Sequence, residues 1–120
     1  MDDTFYYLSN SFIQNMKTNK TTYVDGYVLA VQKNKLDAYK KLATMGCKAW
    51  MKHGALSYRE CVIEDPKPMY VTLTFPKLLN LKKNEVALFS FVEFKSRKHR
   101  DQVNAKVMKD PMMNDPKYKD

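Results

Sequence analysis

A chain of 120 residues, 44% hydrophobic and 28% charged, reads as one ordinary globular domain, long enough to bury a core without disulfide or metal staples. Its 21 Lys and Arg against 13 Asp and Glu leave a net charge of +8, which admits a polyanionic partner without requiring one. No apolar run approaches the ~18 residues of a membrane span, the acidic opening MDDTFYYLSN is unlike a secretory leader, and Cys47 and Cys61 are too few for a disulfide framework, so the expectation is a cytoplasmic protein with no membrane contact.

Residues 1–20 differ in character from the rest of the chain. Thr4–Ser9 (TFYYLS) has the makeup of a short strand, 15–22 is polar and loop-like, and Met16 is an alternative start, so 1–20 is read as an extension carrying an edge strand. Tyr23–Val31 (YVDGYVLAV) is β-branched and aromatic, as strands are. Its small residues Val24, Gly26, Val28 and Ala30 suit close packing of a helix, which turns Tyr23, Asp25, Tyr27 and Leu29 to the opposite face. Asn34 stands where a cap belongs, with Asp37 three residues on in the position of a capping-box acid. Leu36, Tyr39, Leu42, Ala43, Met45, Cys47, Ala49 and Trp50 recur near helical spacing, so Asn34–His53 is expected to be a helix, stopped at Gly54.

Ala55–Ile63 is the second strand, ended by Pro66 and Pro68, which cannot join a ladder. A short strand is expected over Tyr70–Phe75, then an apolar loop over Leu78–Leu81 and a turn at Lys82–Asn84. Val86–Lys95 is the third main strand. Ser96 caps a helix to about Lys109, with Val103 and Val107 on one face, and Asp110-Pro111 ends it. The order β-α-β-β-α is the split β-α-β, ferredoxin-like α+β pattern with an antiparallel sheet, short of its last strand. The tail 112–120 is too polar to supply that strand, and the expected replacement is Thr4–Phe12, folded back antiparallel on Tyr23–Val31 to cover an otherwise open edge. The domain is then 21–111.

The blocks YVDGYVLAV, HGALSYRECV, TFPKLLNLKKNEV and FSFVEFKSRKHRDQVNAKVMKDP closely resemble the YbaA-like bacterial proteins, a family of unknown function, over about Thr22–Pro111. The resemblance implies a dimeric α+β barrel, in which two ferredoxin-like sheets face each other, and lends no activity. The chain departs from that pattern in its N-terminal extension and in lacking the usual glycine-containing last strand.

Three constellations bear on function. The first is a sheet face free of helices, expected to carry Tyr23, Asp25 and Tyr27 from the first main strand, Tyr58 and Glu60 from the second, and Phe89, Phe91 and Glu93 from the third. Such a face suits a homodimer interface, with Arg59 to pair a carboxylate, or a between-sheet cavity for a small molecule. In a cavity, Asp25, Glu60 and Glu93 are the acid–base candidates, and Tyr23, Tyr27, Tyr58, Phe89 and Phe91 the ligand contacts. Fold-level analogy extends this to a cofactor-free oxygenase or isomerase. The second is Phe89-Ser90-Phe91-Val92-Glu93-Phe94, which has the aromatic spacing of an RNA-recognition strand without its basic residue and glycine, so a single-stranded RNA module stacking bases on Tyr27, Phe89 and Phe91 is the lesser alternative. The third is the helix start at Ser96, Arg97 and Arg100, a candidate anion site. His53 and His99 lack ligand spacing with the cysteines, no glycine-rich phosphate loop is present, and neither metal nor cofactor is expected.

Overall fold

The computed structural model describes the backbone of Phe5–Tyr7 and all of residues 21–115. Four strands, β1 (Phe5–Tyr7), β2 (Tyr23–Gln32), β3 (Ser57–Val62) and β4 (Glu85–Phe94), form one sheet in the order β1-β3-β4-β2. Strand β4 runs antiparallel to both β2 and β3, so those two flank it parallel to each other, joined by helix α1 (Leu36–Lys52). A one-turn helix α2 (Phe75–Leu78) precedes β4, and α3 (Arg97–Met108) comes after it. The result is an α+β architecture with a core between the sheet and the two long helices: Val92 and Phe94 of β4 meet Ala49 of α1 and Val103 and Val107 of α3.

The local signals for β2, β4 and α3 act as expected. Ser96 accepts a hydrogen bond from the His99 amide at 3.1 Å, the N-cap contact, and His99 reciprocates by accepting from the Lys95 amide at Nδ1, 2.9 Å. Helix α1 starts differently. Lys33–Lys35 form a 3-10 turn that runs straight into Leu36, which puts Asn34 inside the turn rather than at the cap, and no side chain caps either segment. Asp37 still sits in the first helical turn, where its charge suits the dipole. The strand expected over Tyr70–Phe75 does not form. Tyr70 has φ 64, which turns the backbone out of extended conformation, and Thr74 caps a helical turn with Pro76 at its start.

The N-terminal strand takes another place than the one expected. Phe5–Tyr7 pairs in parallel with Glu60–Val62 at the β3 edge, whereas the predicted fold-back put it antiparallel on β2 at the opposite edge. The rest of 1–20, and 116–120 of the polar tail, lie outside the described residues.

The register also reassigns the sheet faces. Tyr23, Asp25 and Tyr27 stand opposite Phe94, Val92 and Ser90, and Tyr58 and Glu60 stand opposite Val92 and Ser90. Directly paired residues share a face, so all five lie on the face that the helices pack against, where Tyr27 stays 51% exposed. Phe89, Phe91 and Glu93 lie on the other face with Val24, Gly26, Val28, Arg59 and Cys61. The face expected to be single is therefore split in two. The helices cover the bulky face of β2, and its small residues line the open one, where the Phe89 ring leans across Gly26.

Candidate functional site

Glu60 is the most unusual residue of the fold. It projects from the middle of the sheet toward α1 and is 2% exposed, a carboxyl where apolar side chains belong. Tyr58 precedes it by two residues and so shares its face. Tyr39 comes down from the first turns of α1. The Tyr39 hydroxyl donates to Glu60 Oε2 at 2.9 Å and the Tyr58 hydroxyl donates to Oε1 at 3.0 Å. Among the described residues no cation pairs with this carboxylate.

A cleft of about 240 Å³ opens over the triad, lined by Tyr39, Leu42, Ala43, Met45, Gly46, Trp50, Tyr58, Glu60, Met112 and Met113. Helical spacing puts Tyr39, Ala43, Gly46 and Trp50 on the sheet-facing side of α1. Gly46 permits a close approach: a Cβ there would stand 3.0 Å from the Tyr58 hydroxyl, tight enough that this oxygen would have to shift. Trp50 borders Tyr58 with ring centres 6.1 Å apart, and its indole N–H is held by Asn104 Oδ1 of α3 at 3.0 Å.

Burial sets the electrostatics. Removal from water pushes the Glu60 carboxyl above the usual carboxylate range, against the pull of the two phenols that favour its ionised form. The same burial, reinforced by the adjacent Glu60 charge, pushes both phenols well above their ordinary value, so Tyr39 and Tyr58 stay protonated as donors. Cys61 points to the other face and burial raises its thiol to about 11, which makes it a packed side chain rather than a nucleophile at neutral pH.

The roof of the cleft is fastened from a distance. Asp110, 5% exposed, accepts the Met112 amide at 2.9 Å, contacts His53 Nε2 at 2.7 Å and lies 3.4 Å from Lys52 Nζ. The bond to His53, and then that to the Met112 amide, hold its carboxyl below the usual range. One carboxylate thus ties the C-terminal end of α1 to the 3-10 turn Pro111–Asn114, whose Met112 and Met113 border the cleft.

Of the residues singled out from sequence, Tyr58 and Glu60 meet in this cleft and the others lie elsewhere. Asp25 takes both its oxygens to Arg100 Nη1 at 3.2 Å, and Arg100 Nη2 donates to the Tyr23 hydroxyl at 2.9 Å. That arginine is thereby turned to the sheet. Arg97 lies 3.9 Å from Asp101, and Ser96 is occupied as the cap. Glu93 accepts from the Thr21 hydroxyl at 2.7 Å on the open face. Phe89 stacks on Phe75 of α2 and tilts against Phe91 there, which covers one side of Phe89, while Tyr27 is on the opposite face. The three-ring platform of the RNA reading is therefore not assembled, because register separates Tyr27 from the two phenylalanines. Sequence reasoning passed over Tyr39, Gly46, Trp50 and Asp110. Gly46, within the apolar stripe of α1, is the one signal that could have found the approach of Tyr58, since a helical glycine marks where another side chain comes close.

Comparison with known proteins places the chain by descent. Residues 22–119 match the family described as "Protein of unknown function (DUF1428)". Over 93 residues the chain is 38% identical to the Uncharacterized protein YbaA of Escherichia coli (strain K12), a match that covers 78% of this chain and 79% of that protein. The proteins of the same name in Escherichia coli O157:H7 and Shigella flexneri match with the same identity and coverage.

Proposed function

The chain belongs to the DUF1428 family, whose function is unknown, and we propose that it is a small-molecule-binding protein whose ligand occupies the cleft between α1 and the sheet. The observation that carries this reading is the seating of Glu60. Among the described residues this buried carboxylate has no cation, a setting that costs several kcal/mol and that the two phenols offset only in part. At the base of an apolar cleft it has a use, because a few fixed polar groups in an apolar wall orient a ligand. The cleft's ~240 Å³ suits a compact molecule. Screening small amphiphiles by thermal shift against wild type and Leu42→Trp tests it. Leu42 is 41% exposed at the cleft wall, so the bulkier ring narrows the cleft without entering the core. Shifts seen in wild type and lost in the variant are the expected result; a panel that gives no such shift removes the reading.

A second reading concerns assembly. The open sheet face carries Val24, 51% exposed, beside Val28, Phe91 and the small Gly26 and Ala30, and the loop before α2 exposes Met69, Tyr70, Val71 and Leu73. Apolar surface of this extent favours a partner, and a second copy of the chain fits a flat sheet face. On this reading the subunit is ferredoxin-like without its last strand, and two sheets face each other as in a dimeric α+β barrel. Two free cysteines agree with residence in the reducing cytoplasm. Light scattering at low and high salt is expected to return a salt-independent dimer, converted to monomer by Val24→Asp; a wild-type monomer under both conditions refutes it.

A further inference from the structure

The class of ligand is decided by counting protons in the cleft. Each phenol donates its only proton to a different oxygen of Glu60. What these three side chains still present is acceptor capacity alone: the remaining carboxylate lone pairs and the two phenolic oxygens. The Trp50 indole N–H is already held by Asn104. An incoming polar group must therefore bring donors, and it meets a net negative charge with no cation beside it among the described residues. Carboxylates and phosphates meet repulsion there. A cation finds its counter-ion there, between lining residues that include the aromatic Trp50 and Tyr58, whose ring faces attract positive charge. Apolar walls at Leu42 and Met113 require that the rest of the molecule be hydrocarbon.

We propose that the cleft takes an amphipathic organic ammonium, its N–H donors on Glu60 and the Tyr39 and Tyr58 oxygens and its apolar body against Trp50, Leu42 and Met113. This rests on reading the cleft as a ligand site. Binding and ionisation are linked. The bound cation offsets the burial that raises the Glu60 carboxyl, so affinity is greatest where that group is ionised and falls as it takes up a proton.

Trp50 is the only tryptophan of the chain, so its emission reports on the cleft without labelling. The full-length protein is titrated with hexylamine, hexan-1-ol and hexanoate, matched in length and differing in charge, at about pH 8, where the amine is cationic. Hexylamine is expected to bind about tenfold or more tightly than hexanol, with no response to hexanoate. In Glu60→Gln the amine and the alcohol should bind alike. As a check that needs no variant, hexylamine affinity for wild type should fall as pH is lowered toward 4.5, the ordinary carboxyl value, while that of hexanol holds. Equal binding of amine and alcohol by wild type, a preference for hexanoate, or parallel pH profiles overturn the ammonium assignment and leave the cleft as a site for another class. No change in Trp50 emission with any of the three overturns the assignment and the site together.

Discussion

The hydroxyl of Tyr58 lies 3.0 Å from where a side-chain carbon on Gly46 would stand. Helix α1 therefore gives up helix propensity at one position so that a strand side chain can pass under it to Glu60. Alanine at a helical glycine ordinarily gains about 1 kcal/mol, but here the added methyl meets Tyr58 and incurs overpacking of about 1–3 kcal/mol. Gly46→Ala is expected to be neutral to destabilising by up to about 2 kcal/mol in urea unfolding. In a Tyr58→Phe background, where the obstructing oxygen is gone, the same change should stabilise. A double-mutant cycle with no coupling would mean that Tyr58 yields freely.

The two phenols serve one carboxylate. Tyr39→Phe removes a hydrogen bond to a buried charged group and is expected to lower stability by about 1.5–3 kcal/mol at neutral pH. Tyr58→Phe should behave alike, and the double variant should depart from additivity, since the second loss acts on a carboxyl already driven toward its neutral form. Equilibrium unfolding of the three variants reads this; strict additivity would argue that the hydroxyls act independently of Glu60.

Stability should depend on pH through Glu60 with a definite sign. Its folded value stands above its unfolded one, near 4.5, so the folded state holds this proton more tightly than the unfolded chain. That contribution is present in full below the unfolded value and is lost as pH rises through the folded one. Wild type should accordingly lose ground against Glu60→Gln as pH increases over this window. Denaturation midpoints of the pair, measured across the range, are expected to diverge on the alkaline side; a constant offset would count against a perturbed Glu60.

Asp110 predicts the reverse. His53 and the Met112 amide hold its carboxyl below its ordinary 3.8, so its contribution is present above that value and lost as pH falls through the folded one. Asp110→Asn is expected to be less stable than wild type at neutral pH and to match it in strong acid. Because the same carboxylate seats Met112, Trp50 emission should also shift in the variant. An unchanged spectrum would separate the clamp from the cleft.

Strand β2, strand β4, the Ser96 cap and the family were legible in the sequence because each depends on neighbours along the chain. The faces were not. Alternation tells which residues of a strand travel together, yet it does not say which side a helix will cover. Central β4 offers no help, since Leu88, Val92 and Phe94 are as apolar as Ala87, Phe89 and Phe91. The small stripe of β2 suggested a helix, but bulky Tyr23, Tyr27 and Leu29 are on the helix side instead, and Gly26 makes room for Phe89. Tyr70–Phe75 has strand composition, but the φ of Tyr70 and the Thr74–Pro76 cap decide otherwise. Glu60 was grouped with Phe89 and Phe91 instead of with Tyr39, because that partner is 21 residues away.

Met45, Met112 and Met113 give the cleft three thioethers among its walls. Their thioethers are pliable, and they bring exposure to a different reagent. Oxidation to sulfoxide turns a soft apolar side chain into a polar, chiral one. On the reading of the cleft as a ligand site, oxidation of these methionines turns part of its apolar wall polar, and reductases that restore methionine restore that wall.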